Sequence, residues 1–414
     1  MKQADIIIIG AGMAGCSAAA TLAGSARVIV LEQEPQPGYH ATGRSAATLA
    51  PFYGPKVIQQ LTALSAPYLN APPASVSDTP FTSPRGEMIL VGHSSLVEDQ
   101  ADSAATEALV EESLAHGLQT LSFDEAQQMV EQLKPDAIDR VLYTDKLLSI
   151  DVDALHQSYI RQLCRAGGEI ICSSPLTRLD YTNTHWHVTC NKTVYQAPVI
   201  VNAAGAWADE VATLAGLPHT GLQPKRRSAA LIPFPELPAA RPQTQAQTRV
   251  QTRVQTRAQS HPHPPDSDQL NPVANWPMVL DIHERFYCIP FGSGLMVSPA
   301  DETPMDAHDV WPEDIDLATG IDHFQQLLDY DVQTMTHSWA GLRTFAADGE
   351  PIVGFDPLAE GFFWLAGQGG YGIQTAPAIS MLCDYLINNN AGEYADSLAG
   401  FKEQLSPARL RRHL

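Results

Sequence analysis

Asp5-Ile-Ile-Ile-Ile9-Gly10-Ala-Gly12-Met-Ala-Gly15 opens the stretch that decides the fold, and Arg27-Val-Ile-Val-Leu31-Glu32 closes it. The β-branched run Asp5–Ile9 has the length and apolar continuity of a fully buried parallel strand. Gly10, Gly12 and Gly15 match G-x-G-x-x-G, and the Ala-rich segment from Cys16 to Leu22 reads as a helix packed tightly on a sheet. A second β-rich run, Arg27–Leu31, follows, and Glu32 ends it twenty residues after Gly12. Each part has a physical task. The first glycine permits the tight turn, the second admits a pyrophosphate close to the backbone, and the third lets helix lie on strand; the acid accepts ribose hydroxyls. Strand, glycines, helix, strand and acid in that order define a dinucleotide cradle. FAD and NAD share the motif, and no second glycine fingerprint is visible, so one dinucleotide is the simpler reading.

The rest of the 414 residues narrows the function. Hydrophobic residues make up 44% and charged residues 17%, which describes one or two domains with real cores. The net charge of −21 argues against binding to a phosphate backbone or an anionic membrane. Six scattered cysteines, none closer than eight residues to another, lack zinc or redox spacing and fit a reduced, cytoplasmic setting. A peripheral place at the inner membrane is the alternative. Ile6 to Gly24 is free of charge for nineteen residues, yet Asp5 and the three glycines argue against a membrane span or signal peptide. A small-molecule enzyme or a protein-binding module remains.

Four further blocks carry a family resemblance: Pro37-Gly-Tyr-His-Ala-Thr-Gly-Arg-Ser-Ala46, Val199-Ile-Val-Asn-Ala-Ala-Gly-Ala-Trp207, Trp339-Ala-Gly-Leu-Arg343 with Asp348-Gly-Glu-Pro-Ile-Val-Gly354, and Gly367-Gln-Gly-Gly-Tyr-Gly-Ile-Gln374. In this order they resemble the D-amino-acid-oxidase-like flavoproteins. Tyr39-His-Ala-Thr-Gly-Arg-Ser-Ala-Ala47, Ser83-Pro-Arg-Gly-Glu-Met88, Leu222-Gln-Pro-Lys-Arg-Arg-Ser228 and Gln368-Gly-Gly-Tyr-Gly-Ile-Gln-Thr375 make the likeness greatest to the FAD-dependent D-arginine dehydrogenases. The resemblance implies FAD as cofactor and an α/β fold: a Rossmann-like FAD-binding domain with an antiparallel-sheet (α+β) substrate domain, discontinuous in sequence. The expected FAD-binding segments are 1–85, 148–213 and 338–414, and the substrate segments 86–147 and 214–337. Expected cofactor contacts are Gly10, Gly12, Met13, Ala14, Gly15, Glu32, Gln33, Arg44, Ser45, Ala46, Thr48, Leu176, Ala204, Gly205, Gly370, Tyr371, Gly372, Ile373 and Gln374. In the block ending at Ala46, the Gly, Thr, Arg and Ser residues are able to donate hydrogen bonds to phosphate and flavin.

Oxidation of an amino acid by a flavin needs the Cα–H aimed at N5, so the carboxylate must be held firmly. An arginine fork gives a carboxylate two parallel charge-assisted hydrogen bonds. Arg343 and Arg227 are the candidates, and the resemblance implies that both clamp the substrate carboxylate. It also implies that Tyr53 and Tyr287 help hold the substrate, that Glu87 pairs with a cationic side chain, and that the Gly370 carbonyl orients the amine. Structural ion pairing for Arg343, a solvated basic run for Arg227, packed aromatics and an exposed strand-edge glutamate are the plainer alternatives. Thr48 departs from the pattern, because the related dehydrogenases carry histidine there. Threonine cannot act as a base near neutral pH, so no general base is assigned. The segment Ser45 to Gly54 has the composition of a lid.

His185-Trp-His187 places two imidazoles on one strand face without a nearby third ligand, so no metal site is assigned. Antiparallel strands are expected over Ser83–Val91 and Trp276–Val297, and helix over Leu96–Leu133. Residues 241–272 form a low-complexity insertion built on Gln247-Thr-Arg-Val, Gln251-Thr-Arg-Val and Gln255-Thr-Arg-Ala, with His261-Pro-His263 beyond, expected to be a mobile loop, with a partner-binding arm as the alternative. The favoured function is oxidative deamination of cationic D-amino acids to 2-oxo acids and ammonia by hydride transfer from Cα to flavin N5, the electrons passing to a quinone or other carrier. Oxidation of sarcosine, glycine, proline or a hydroxy acid is the second reading. A flavin-binding scaffold with a partner-binding insertion is the third.

Overall fold

Ile6–Ile9 is buried throughout because both faces of the strand are covered: Ile6 and Ile8 join one apolar core, Ile7 and Ile9 the other. The next strand, Val28–Leu31, divides the same way. Continuous β-branched runs are what a sheet sandwiched between two layers demands. The computed structural model describes residues 1–93, 103–234, 272–390 and 392–411. In it these strands form the centre of a six-stranded sheet in the order Glu169–Ile171, Val28–Leu31, Ile6–Ile9, Val199–Asn202, Phe362–Ala366, Ile352–Phe355. All neighbours are parallel except the last pair. The first helix starts earlier than expected, at Met13, and runs to Leu22. Its small residues allow close packing against the helices Val152–Arg165 and Ala376–Asn388.

An eight-stranded sheet lies beside it, ordered His337–Phe345, Gln223–Pro233, Gly294–Ser298, Tyr287–Phe291, Met278–Asp281, Glu87–Gly92, Ile138–Thr144, Gln119–Leu121. It is antiparallel except where Met278–Asp281 runs parallel to Glu87–Gly92. The edge strand His337–Phe345, grouped by sequence with the FAD-binding segments, pairs along Gln223–Pro233 in this second sheet. Three short strands, Ala47–Leu49, Leu148–Ile150 and Thr82–Pro84, form a small antiparallel sheet of their own, and a meander from Leu176 to Ala197 makes up most of a fourth.

The helical reading of Leu96–Leu133 needs correction. Within its described part, helix Ser103–Ala115 ends at Gly117, whose φ of +92° turns the chain, and Gln119–Leu121 adds an edge strand before the helix Phe123–Met129. Of the insertion, only Pro272 is described, at the start of the 3-10 turn Pro272–Asn275. Its repeats and His261-Pro-His263 lie outside the described residues.

Candidate active site

The glycine turn is dictated by space. A Cβ on Gly15 would lie 1.9 Å from the Gly10 carbonyl oxygen, and one on Gly10, at φ +102°, would lie 2.5 Å from the Ala203 oxygen. At Gly12 the nearest atom is Thr42 Oγ1 at 3.3 Å, so a side chain there would fill the cleft in front of the helix. The N-cap, Gly12, has no side chain to cap this end, no acid occupies the first turn, and only the Met13 amide is taken by a side chain, Thr42 Oγ1. Its amides are thus oriented for an anion. Glu32 Oε2 accepts from the Ala11 amide at 2.7 Å and Oε1 from Glu34 N at 3.0 Å, which fixes the carboxylate at the cleft wall with lone pairs to spare. His156 braces the turn from below, its Nε2 lying 3.0 Å from the Ala11 carbonyl.

A long cleft runs from this turn past Gln33, Ala46, Leu176, Ala204 and Gly205 to Gly370, Gly372 and Ile373. Met13, Ala14, Arg44 and Ser45 also line it. Polar side chains of the 37–46 block are engaged within the protein, Thr42 as an acceptor and Ser45 and Arg44 as donors. Thr42 Oγ1 accepts from Met13 N at 2.9 Å, Ser45 Oγ donates to the Ala41 carbonyl, and the Arg44 guanidinium is held by Asp309 and by the carbonyls of Val310 and Ala340. A tight loop against a helix end must satisfy its own polar groups first. Gly15 and Tyr371 line neither this cleft nor its neighbour: Gly15 is consumed by packing, and Tyr371 packs against Tyr53 with its ring tilted by 60° and centroids 5.2 Å apart.

A second cavity adjoins the first, sharing Ala46, Arg227, Tyr287, Arg343 and Gly370 with it. Thr48, Tyr53, Glu87 and Gln374 line this second cavity only. Strand register explains the convergence. Arg227 pairs with Gly341 and Lys225 with Arg343, so the two arginines share one sheet face as diagonal neighbours, roughly 7–8 Å apart at the backbone. Opposite Arg227 stands Gly341, over which the Arg44 side chain packs, 3.6 Å from where a Cβ would lie. Following the pairs Tyr287 to Leu280 and Leu280 to Ile89 across the sheet puts Tyr287 and Glu87 on the same face. Four strand spacings, roughly 19 Å along the sheet, separate the strand of Arg227 from that of Glu87, and both side chains reach inward.

The electrostatics of the two ends are opposite. Among the described residues no carboxylate comes within ion-pairing distance of Arg343, whereas Arg227 Nη2 pairs with Glu302 at 3.0 Å. Burial opposes ionisation of the Tyr287 hydroxyl, but Arg343 and Arg227 outweigh it and hold the group below its ordinary range. The Arg227 guanidinium also stands 6.0 Å from the Tyr287 ring centroid. At the other end, Glu87 is 8% exposed and its Oε2 has no hydrogen-bond partner. Burial, with Glu284 adding to it, raises its carboxyl to about 7. Phe52, Glu284 and His116 complete this end, Phe52 stacking on the imidazole.

Sequence reasoning missed Glu284 and His116. Glu284 sits at φ +54° in a turn tied by Asp281, which accepts from His283 N at 3.0 Å and grips Arg285. Its only sequence signal is its place three residues before Tyr287. The segment over the cavity is pinned by Gln59 Nε2, which donates to the carbonyls of Phe52 and Gly54, and by Gln374 Oε1, which accepts from Ala50 N at 3.0 Å. Among the described residues no group of three or more His, Cys, Asp or Glu side chains could hold a metal ion, and no helix is long and apolar enough to cross a membrane.

Fold and cleft together define a dinucleotide-binding α/β protein with a separate polar cavity at the end of the cradle. The chain belongs to the DAO family of FAD dependent oxidoreductases, whose family model matches residues 5–258 and 251–386. Its cofactor is FAD. Solved structures repeat the architecture. L-proline dehydrogenase from P. horikoshii is 17% identical with a TM-score of 0.74, over 100% of this chain and 99% of that one. Glycine oxidase from Geobacillus kaustophilus is 18% identical with a TM-score of 0.75, over 100% of both chains. L-alpha-glycerophosphate oxidase from Mycoplasma pneumoniae, solved with FAD bound, is 16% identical with a TM-score of 0.72, over 94% of this chain and 95% of that one. At these identities the likeness is one of fold.

Proposed function

We propose that this oxidoreductase oxidises D-amino acids with cationic side chains, D-arginine and D-lysine above others, to imino acids that water converts to 2-oxo acids and ammonia. The observation that carries the reading is the buried, unpartnered Glu87 carboxyl across one cavity from two arginines on the same sheet face. A buried carboxylate without a partner is costly, and a cationic group completes it.

The glycine turn fits FAD: the open helix end takes the diphosphate and Glu32 takes ribose hydroxyls. Ala46, Ala204, Gly205, Gly370, Gly372 and Ile373 line the remainder of the cleft. When bound, FAD supplies the hydride acceptor. The protein's part is positioning. Arg343 and Arg227 grip the α-carboxylate, and Tyr287 and Tyr53 wall the substrate and donate hydrogen bonds to it. The Gly370 carbonyl accepts from the amine and turns its lone pair toward the breaking bond. Glu87 holds the far end of the side chain. Ala47–Leu49 brings Thr48 to the cavity, where its hydroxyl contributes polarity without taking a proton.

The test is to mix the purified yellow protein anaerobically with panels of D- and L-amino acids. Loss of flavin colour with D-arginine and D-lysine is expected. Colour retained with every D-amino acid would refute the reading, and bleaching by proline, sarcosine or glycine alone would replace it.

A further inference from the structure

Lys225, Arg226, Arg227 and Ser228 alternate along the strand Gln223–Pro233, and two consecutive acids grip the two faces separately. Asp301 takes the inner pair: its oxygens accept from Ser228 N at 2.6 Å, Ser228 Oγ at 2.9 Å and Arg226 Nε at 3.2 Å. Arg226, 3% exposed, is finished by Glu313 and Asp316, and it contributes to the packing of the helix Asp314–Leu327 against the sheet. Glu302 takes the cavity-side pair. Its Oε1 accepts from Arg227 Nη2 at 3.0 Å and its Oε2 from Lys225 Nζ at 2.9 Å. The Lys225 ammonium in turn stands 5.0 Å from the Phe345 ring centroid. Burial works against ionisation of Glu302, but Lys225, then Arg227 and Arg343, overcome it and keep the carboxyl below its ordinary range.

We infer that Glu302, itself held by Lys225, is a positioning residue that fixes the Arg227 guanidinium for the α-carboxylate of the substrate. A guanidinium is useful to a carboxylate only when its plane is set, and an anchored Nη2 leaves the rest of the fork oriented. The Arg227 Nε is buried and without a protein partner, as a group reserved for a ligand would be. Removing Glu302 has two opposing effects: the fork loses its anchor, and the site loses a negative charge that repels the ligand. Glu302 is partly exposed, so water screens the repulsion, while the anchor acts on a buried group; loss of orientation therefore dominates.

The role rests on the carboxylate clamp proposed above, and two ligands separate them. Both 5-guanidinopentanoate, which is arginine without its amine, and butylguanidine, which lacks the carboxylate, are titrated into the FAD-loaded protein and followed by the visible flavin spectrum. Glu302→Gln is expected to weaken 5-guanidinopentanoate about tenfold and to leave butylguanidine unchanged, and Lys225→Met to weaken the first ligand less, in the same direction. Unchanged or tighter binding of 5-guanidinopentanoate by Glu302→Gln would overturn the inference, as would equal weakening of both ligands, the sign of general loosening. Arg343→Lys serves as the control for the clamp. If it binds 5-guanidinopentanoate as the parent does, the clamp itself fails; if it weakens binding and Glu302→Gln does not, only the role of Glu302 falls.

Discussion

The cofactor cleft and the substrate cavity share a wall but are built on opposite principles. In the cleft the turn itself is backbone, and the specifying residues are glycines: Gly10 and Gly15 have no room for a Cβ, and a side chain on Gly12 would fill the cleft. In the cavity the specifying groups are long side chains drawn from four strands, each oriented by a partner such as Glu302 or left open like Glu87 and Arg343. A backbone cradle tolerates almost no change at its glycines and takes one ligand class. A side-chain cavity can be retuned residue by residue, which is how one fold serves several substrates.

The sharpest way to break the contrast is Gly15→Ala. Its Cβ has a backbone atom 1.9 Å away, so the purified variant is expected to retain almost no flavin, read as the ratio of visible to ultraviolet absorbance. Full retention would show that the turn yields more than its packing implies. On the cavity side, Arg343→Lys removes a planar fork while keeping its charge, and kcat/KM for D-arginine should fall about 100-fold.

Glu87→Gln is expected to reduce the preference for D-arginine over D-leucine about tenfold or more, measured as a ratio of kcat/KM values. The same substitution should stabilise the protein at alkaline pH. A carboxyl whose folded value is about 7, against an ordinary 4.5, contributes stability that is present below 4.5 and lost as pH rises through 7. Denaturant unfolding at pH 8 should therefore favour the variant on the order of 3 kcal/mol, with little difference at pH 4. The same titration governs binding: affinity for D-arginine should rise as pH passes upward through about 7, when Glu87 ionises, and the rise should vanish in the glutamine variant. Smallest of all, Gln59→Ala frees the carbonyls of Phe52 and Gly54 and should raise KM about twofold, at the low end of what partly buried hydrogen bonds contribute.

The same contrast governs what could be read from the chain. The cradle is local: strand, turn, helix, strand and acid fall within 32 residues, so their order alone carries it. Glu87 was legible as a strand start, because alternation sends residues 87, 89 and 91 to one face. That Arg227 and Arg343 are diagonal neighbours depends on a register between strands more than a hundred residues apart, which no local pattern encodes. Here family resemblance supplied what periodicity could not. Glu302 and Glu284 were invisible for a related reason: both lie in loops, Glu284 between two strands and Glu302 between a strand and the helix Asp314–Leu327, where a glutamate in an acidic chain looks like a solvated one. The error over Leu96–Leu133 came from apolar spacing that continues through Gly117 while the backbone turns there.

The most direct measurement is a crystal structure of the FAD-loaded protein with 5-guanidinopentanoate. The carboxylate should lie between Arg227 and Arg343 at the flavin end, and the guanidinium should reach Glu87 Oε2. A ligand bound the other way round, or outside the cavity that joins these three residues, would contradict the account.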